Sequence, residues 1–314
     1  MLRYTAKRIG LILPILLGVS LVVFVLLHLT PGSPVDALLG PIGTPQQRAS
    51  LEHDLGLAQP LPVQYFSWLR GIATGNLGTS IAAQSPVLPI ISDAFLNTLI
   101  LTAFAGAVAV IGGLVLGTLW ATSPHAAVRR VAAALSVSAL SAPQYAVAVI
   151  LIVVVGVQLQ WLPVGGMYSS IDGGGLVDLG RHIVLPGIAA ALVPLGIIAR
   201  MFRASLLDVL DQGFVESLTA RGLSRARVLA HAAHNAMPPM LTVAGLQFGY
   251  LLGGVLFVEV IFVWPGMGLA VYQAITQRDY PIIQAGVLLG AFAFVALNLV
   301  VDVLHAAVDP RIRH

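Results

Sequence analysis

Long apolar runs separated by short polar links dominate this chain. Residues 9–29, 95–120, 131–158, 184–204, 238–263 and 282–308 form six such runs. Each matches or exceeds the roughly 20 residues an α-helix needs to cross a bilayer core of about 30 Å. The pattern therefore predicts an all-α polytopic membrane protein with six transmembrane helices. The first run follows Arg3, Lys7 and Arg8 in the manner of a signal peptide. It is long, however, and no small-x-small site closes it, so it reads as a retained helix.

Three connections are longer than turns. Residues 30–94 carry Pro and Gly throughout, with a polar stretch around Gln46–Asp54, and suggest a small helical cap or ordered loop outside the membrane. Within them VQYFSWLR at 63–70 fits an interfacial amphipathic helix, with Tyr65 and Trp68 at headgroup level. Residues 159–183 are Gly-rich and read as a flexible external loop. The segment 205–237 predicts two helices. Leu206, Leu207, Leu210, Phe214 and Leu218 recur at three and four as one apolar stripe. Gly222 breaks it, and Ser224 is placed to cap a second helix through Arg225 and Arg227 to Met237, before Pro238 and Pro239. Such an element fits a groove on a cytosolic partner or lies on the inner leaflet, with Arg221, Arg225 and Arg227 toward partner carboxylates or lipid phosphates. Residue types do not separate the two.

Composition narrows the class. Of 314 residues 58% are apolar and 9% charged, and mean hydropathy is +0.93. The 16 Lys+Arg and 13 Asp+Glu give 29 charges, too few to cover a soluble protein of this length. Soluble α/β, collagenous and disordered classes are excluded. The formal charge of +3 does not indicate nucleic acid, because the basic residues follow membrane topology. Arg3, Lys7, Arg8, Arg129, Arg130, Arg200, Arg203, Arg221, Arg225, Arg227, Arg311 and Arg313 fall on one side, 12 of the 16. Arg48, Arg70, Arg181 and Arg278 fall on the other. The positive-inside rule then predicts both termini in the cytosol. With no cysteine, disulfides, thiolate metal sites and cysteine nucleophiles are excluded. Neither H-E-x-x-H nor a nucleotide-binding glycine loop occurs. His231 and His234 lie three apart on one helical face but form no metal cluster. The expectation is no catalytic residue, no metal and no cofactor bound by this chain.

Polar groups near the spans are the remaining candidates. Glu259, beside Phe257 and Phe262, would line a pathway or face water outside, where it could meet a partner. Gln144, Tyr145 and Gln158 are expected to face the bundle interior as pathway residues. Trp264-Pro265-Gly266 reads as an interfacial anchor and tight turn, with Arg278 and Asp279 on the same outer surface. Asn298 is expected to make an interhelical hydrogen bond and Asp302 to be solvated. Gly112, Gly113, Gly117, Gly187 and Gly196 suit close helix packing. Asp36, Glu52, Asp54 and Asp172 could contact an external protein.

Several segments in order resemble one family. Glu216-Ser217-Leu218 followed by Gly222 is similar to a Glu-Ala-Ala, three residues, Gly motif, with both alanines replaced. The likeness extends through Ala220-Arg221-Gly222-Leu223-Ser224 and His234-Asn235-Ala236. It continues in LHLTPGSPVD at 27–36, Asn97-Thr98, VEVIFVWPGMG at 258–268, RDYPIIQAGVLL at 278–289 and VDVLHAAVDPRIR at 301–313. Together these resemble the permease subunits of bacterial ABC importers, in the branch that moves dipeptides, oligopeptides, glutathione and nickel complexes. The resemblance implies the type I importer permease fold, with 1–314 as a single transmembrane domain. It implies half of a translocation pathway, completed by a second homologous permease, two ATPases (or one fused) that bind ATP and Mg, and an extracytoplasmic binding protein. It makes 205–237 the coupling element, with Glu216, Gly222, Arg221, Ser224, Arg225, Arg227 and Phe214 as its residues. Peptide is the expected cargo, nickel or glutathione the alternatives, in a bacterial plasma membrane. An ion-coupled secondary transporter would need mid-membrane ion ligands and usually more spans. A channel would not need the hairpin, and an intramembrane enzyme would need a paired acid or metal set.

Overall fold

The computed structural model describes residues 2–30, 35, 39, 44–54, 56–169 and 174–308. Asp36, Asp172, Arg311 and Arg313, and the side chains of Arg3, Lys7, Arg8, Asp54 and Asp302, lie outside the described residues. The helices, in chain order, are α1 (Leu2–Leu29), α2 (Pro45–Asp54), α3 (Leu61–Ala73), α4 (Val87–Thr122), α5 (Ala126–Ser141) and α6 (Gln144–Leu151). They continue as α7 (Leu176–Leu210), α8 (Gly213–Ala220), α9 (Arg225–Ala236), α10 (Pro238–Ile261), α11 (Met267–Gln277) and α12 (Tyr280–Val308). Among the described residues the only β-pairing is an isolated bridge between Thr79 and Pro86.

Five helices are long and apolar enough to span, six if the bent pair of α5 and α6 counts as one. That pair corrects the expected continuous helix over 131–158, because the chain bends by 112° between the two limbs. Pro143 is the cause. It has no N–H to donate, and its ring drives Ala142 into an extended conformation (φ −77°, ψ 128°). Beyond α6 the chain widens into a π-helix over Ile152–Gln158. Two other helices overrun the apolar runs that predicted them. At 36 and 35 residues, α4 and α7 are about 54 and 52 Å long at 1.5 Å per residue. Hydropathy marks only the portion that must be apolar.

The chain divides into two compact units. The first comprises residues 99–264 and the chain from 296 onward. α7 is its centre, with 67% of its apolar window buried. Small residues let neighbours approach: a Cβ on Gly117 would stand 2.7 Å from the Ala199 carbonyl oxygen, so α4 and α7 touch there nearly backbone to backbone. Gly112 and Gly113 leave room for the side chains of Leu195 and Ile198. Phe262 and Trp264 are fully buried in the main core. The segment expected as a flexible loop is ordered between 161 and 169. Met167 is buried, Gly166 N–H donates to the Phe262 carbonyl at 2.8 Å, and Ser169 N–H donates to the Asp178 carboxylate at 2.7 Å.

The second unit comprises residues 2–98 and 265–295. Its helix α3 forms the predicted amphipathic segment, but Tyr65 and Trp68, expected at headgroup level, turn inward. Tyr65 and Trp68 pack on Phe24 of α1, with ring centroids 5.3 and 6.3 Å away, and the Tyr65 hydroxyl meets that of Ser20 at 2.9 Å. Phe66, 67% exposed, is the aromatic that points outward. A separate apolar cluster joins Val87 and Ile91 to Ala274, Ile282 and Ile283. Asn97 and Thr98 lie well inside α4 rather than at its start. Asn97 donates to the Pro265 carbonyl at 2.9 Å, and the Thr98 hydroxyl accepts from Met267 N–H at 2.8 Å, holding the entry to α11.

Candidate coupling surface and transmembrane polar residues

The segment 205–237 folds as the end of a long helix followed by two short ones. α7 runs unbroken to Leu210, the chain turns at Asp211–Gln212, and α8 begins at Gly213. The expected single stripe from Leu206 to Leu218 is thus divided between α7 and α8. Leu206, Leu210 and Phe214 still reach one apolar cluster, with Phe202, Val209, Ala232, Ala236 and Met240. α9 enters it through Ala232 and Ala236, which with Val228 are buried at a spacing of four. The Ser205 hydroxyl donates to the Ala236 carbonyl at 3.2 Å, and an Arg225 guanidinium N–H donates to the Thr122 carbonyl at 3.0 Å. The hairpin is therefore fastened to α4, α7 and α10.

The turn between α8 and α9 is a Schellman cap. Gly222 N–H donates to Thr219 O at 2.9 Å and Leu223 N–H to Leu218 O at 3.3 Å, with Gly222 at φ +79°. That left-handed conformation favours glycine, as the sequence predicted. Ser224 occupies the N-cap position of α9 with extended backbone, yet its hydroxyl makes no capping bond. Glu216, Arg221, Arg225 and Arg227 are exposed, and Phe214 is half-buried. The outward face of the hairpin thus carries a carboxylate on α8 and three guanidiniums at the turn and on α9. His231 and His234 are exposed on α9, and no metal-holding group of His, Asp and Glu occurs among the described residues.

The transmembrane candidates separate. Gln144 turns inward and donates to the Ala189 and Ala190 carbonyls of α7, each at 3.3 Å. Pro194, inside α7, has no N–H for Ala190 O, so Gln144 supplies the missing donor. Tyr145 is 63% exposed and Gln158 is exposed at the end of the π-helix. The expectation that all three face the interior of this chain's bundle holds only for Gln144. Glu259 is fully buried rather than facing water. Trp264 is fully buried too, so it is a core residue and not an interfacial anchor. Asp279 is only 1% exposed. It accepts from the Ser80 hydroxyl, from Ala82 N–H at 3.2 Å and from Ile282 N–H at 3.5 Å, joining the 79–86 turn to the start of α12. Asn298 makes no side-chain hydrogen bond with a described residue, contrary to expectation.

Comparison with known proteins places this architecture. Residues 113–314 match the binding-protein-dependent transport system inner membrane component family, and residues 1–102 match that system's N-terminal membrane component. The chain belongs to this family. Among similar permeases, the dipeptide transport system permease DppB of Alkalihalophilus pseudofirmus is 37% identical over 333 residues, covering 100% of both chains. The glutathione transport system permease GsiC of Salmonella typhimurium is 38% identical over 315 residues, again covering 100% of both. The DppB permease of Escherichia coli is 36% identical, covering 100% of this chain and 99% of that one. The fold matches a chain of the MetNI methionine ABC transporter in an inward-facing conformation. The TM-score is 0.57 at 21% identity, over 70% of this chain and 96% of that one. The protein is an ABC importer permease subunit.

Three features of this permease escaped the sequence. The Ser80–Asp279 bond joins residues 199 positions apart, and no local pattern announces it. His182 is buried and its Nδ1 lies 3.1 Å from the Asp178 carboxylate, an i, i+4 pair the spacing could have suggested. The Arg203 guanidinium lies over the Trp120 ring at 4.7 Å, where a count of flanking basic residues saw only topology.

Proposed function

We propose that this permease forms half of the translocation pathway of an ATP-driven importer of dipeptides and short oligopeptides. Its helices α8 and α9 would couple the membrane bundle to a cytosolic ATPase. The observation that carries this reading is end-to-end similarity to peptide and glutathione permeases, joined to a hairpin with its charges turned outward. The remaining parts are a second homologous permease, two ATPases (separate or fused) that bind ATP and Mg, and an extracytoplasmic binding protein. Both termini lie in the cytosol in this reading, as the distribution of basic residues supports. Residues 30–94 then face outside, and Glu52, Tyr145 and Gln158 remain candidates for the pathway or for contacts with partners. Glutathione, itself a small peptide, suits the same reading, and a nickel chelate is the alternative cargo.

The mechanics follow from how the hairpin is fastened. Closure of an ATPase pair on ATP would push α8, docked through Glu216, Phe214 and the Arg221–Arg227 turn. The shared cluster of α7, α8, α9 and α10 would carry that displacement into α7, the most buried spanning helix. No bond is made or broken by this chain in such a cycle; hydrolysis belongs to the partners.

Mild-detergent purification from native membranes, with mass spectrometry of what accompanies the chain, tests the assembly. A second permease and P-loop ATPases are the expected companions, and a chain purifying alone would sink the reading. In the reconstituted complex, Glu216→Lys and Gly222→Val should abolish uptake of a labelled dipeptide while ATP hydrolysis persists and membrane insertion is unchanged. Normal uptake by both variants would remove the coupling role.

A further inference from the structure

At the end of the first unit that bears the hairpin, a cavity of about 360 Å³ opens between the end of α4, the start of α5 and the last turns of α7. Its walls include Trp120, Arg129, Arg130, Arg203, Ala133 and Leu207, and no carboxylate. Three guanidiniums thus converge on one space, and none is ion-paired with a described residue. Arg129 is aimed by donation to the Ser123 and Pro124 carbonyls at 2.8 and 3.3 Å. Arg203 lies over Trp120, and its Nε is buried with no hydrogen-bond acceptor. Buried donors are almost always satisfied, and like charges lining one cavity repel unless an anion joins them. The arrangement lacks one component, and that component is anionic.

We propose that this cavity binds the phosphate of an anionic phospholipid. A guanidinium presents a planar fork of donors matched to phosphate oxygens, and three forks suit a group whose charge is spread over several oxygens. Trp120 supplies the amphipathic ring characteristic of headgroup depth. The apolar side of the ligand also has a path. On α5 the face carrying Arg130 and Ala133 continues to Val137, which is 51% exposed, so an acyl chain can follow that face away from the cavity. A free phosphate ion would use the guanidiniums and leave this track empty. The inference does not depend on which cargo the importer carries.

The test uses the intact transporter in nanodiscs of phosphatidylcholine alone or mixed with phosphatidylglycerol, reading retained lipid by mass spectrometry. Phosphatidylglycerol should be retained in preference. Arg130→Gln should weaken that preference about five-fold, the effect of one surface cation near an anionic leaflet, and Arg130→Lys should restore part of it. Arg130 is exposed and makes no hydrogen bond to a described residue, so its replacement spares the fold; Arg203→Gln serves as the deeper probe. Equal retention by parent and variants would overturn the site. So would a preference shown by the isolated chain and lost once the ATPases are bound, which would assign the arginines to a protein contact. Inorganic phosphate raising the melting temperature in phosphatidylcholine discs as much as phosphatidylglycerol does would replace the lipid with a free phosphate.

Discussion

Glu216 and Asp279 are both carboxylates in connections between spanning helices, and the fold treats them oppositely. Asp279 is enclosed and surrounded by donors: a hydroxyl and two backbone N–H groups of its own unit. Glu216 stands exposed on an eight-residue helix whose inner side is fixed by Phe214. The same contrast separates the exposed Arg221 and Arg227 from Gln144, which is committed to the α7 backbone. A polar group satisfied within the chain holds the fold together. One left unsatisfied at the surface is available to a partner. Sequence position did not distinguish these fates, because it does not say where donors gather.

The largest consequence concerns Asp279. Replacing it with Ala leaves the Ser80 hydroxyl and the Ala82 N–H without their acceptor in a buried site. Hydrogen bonds to a charged acceptor contribute about 1.5–3 kcal/mol each, and orphaned donors add a desolvation cost. Asp279→Ala should therefore destabilise the chain by about 3 kcal/mol, seen as a fall of several degrees in melting temperature in detergent. Asp279→Asn, which keeps one acceptor oxygen, should recover part of the loss. An unchanged melting temperature would place Asp279 with the outward-facing group, where the sequence first put it.

That reassignment shows how far the sequence could be read. The five single spans, the amphipathic α3, the left-handed Gly222 and the glycine contacts of α4 were legible, because each rests on local periodicity or on one residue's conformational freedom. The bend at Pro143 was missed because the run through 131–158 is apolar on both sides of it, and a hydropathy window does not register a missing N–H. The burial of Trp264 and Glu259 was missed for another reason. In a membrane protein apolar residues face both lipid and core, so hydropathy does not locate the interior. α1 has a mean hydropathy of 2.7 with 11% of its window buried, whereas α7 has 2.1 with 67%. Of the candidate site, the hairpin's turn and charged face could be read locally. Its attachment to Thr122 and Ala236 could not.

Gln144 offers an intermediate test. In Gln144→Leu the side-chain volume is nearly kept, but the carbonyl left by Pro194 loses its donor. One neutral hydrogen bond contributes about 1 kcal/mol, so the melting temperature should fall by less than for Asp279→Ala. Peptide uptake at saturating ATP should stay near the parent's once corrected for the amount of folded transporter. A pathway residue would behave in the reverse way, with uptake altered for some peptides and stability unchanged. That reverse pattern would return Gln144 to the pathway beside Tyr145 and Gln158.

The smallest expected effect sharpens the contrast most. Ser224 sits where an N-cap serine belongs, and loss of such a cap typically costs about 1 kcal/mol. Here the hydroxyl makes no bond to the first turn of α9, so the fold does not use it. Ser224→Ala should change the melting temperature by no more than the equivalent of about 0.3 kcal/mol, within the few tenths typical of uninvolved surface positions. Any larger effect should appear only in the assembled transporter, as weaker retention of the ATPases, which would put the hydroxyl on the proposed docking face with Glu216. A full cap-sized loss in the isolated chain would mean that the hydroxyl closes the α9 N-terminus after all. The outward face of the hairpin would then begin at Arg225.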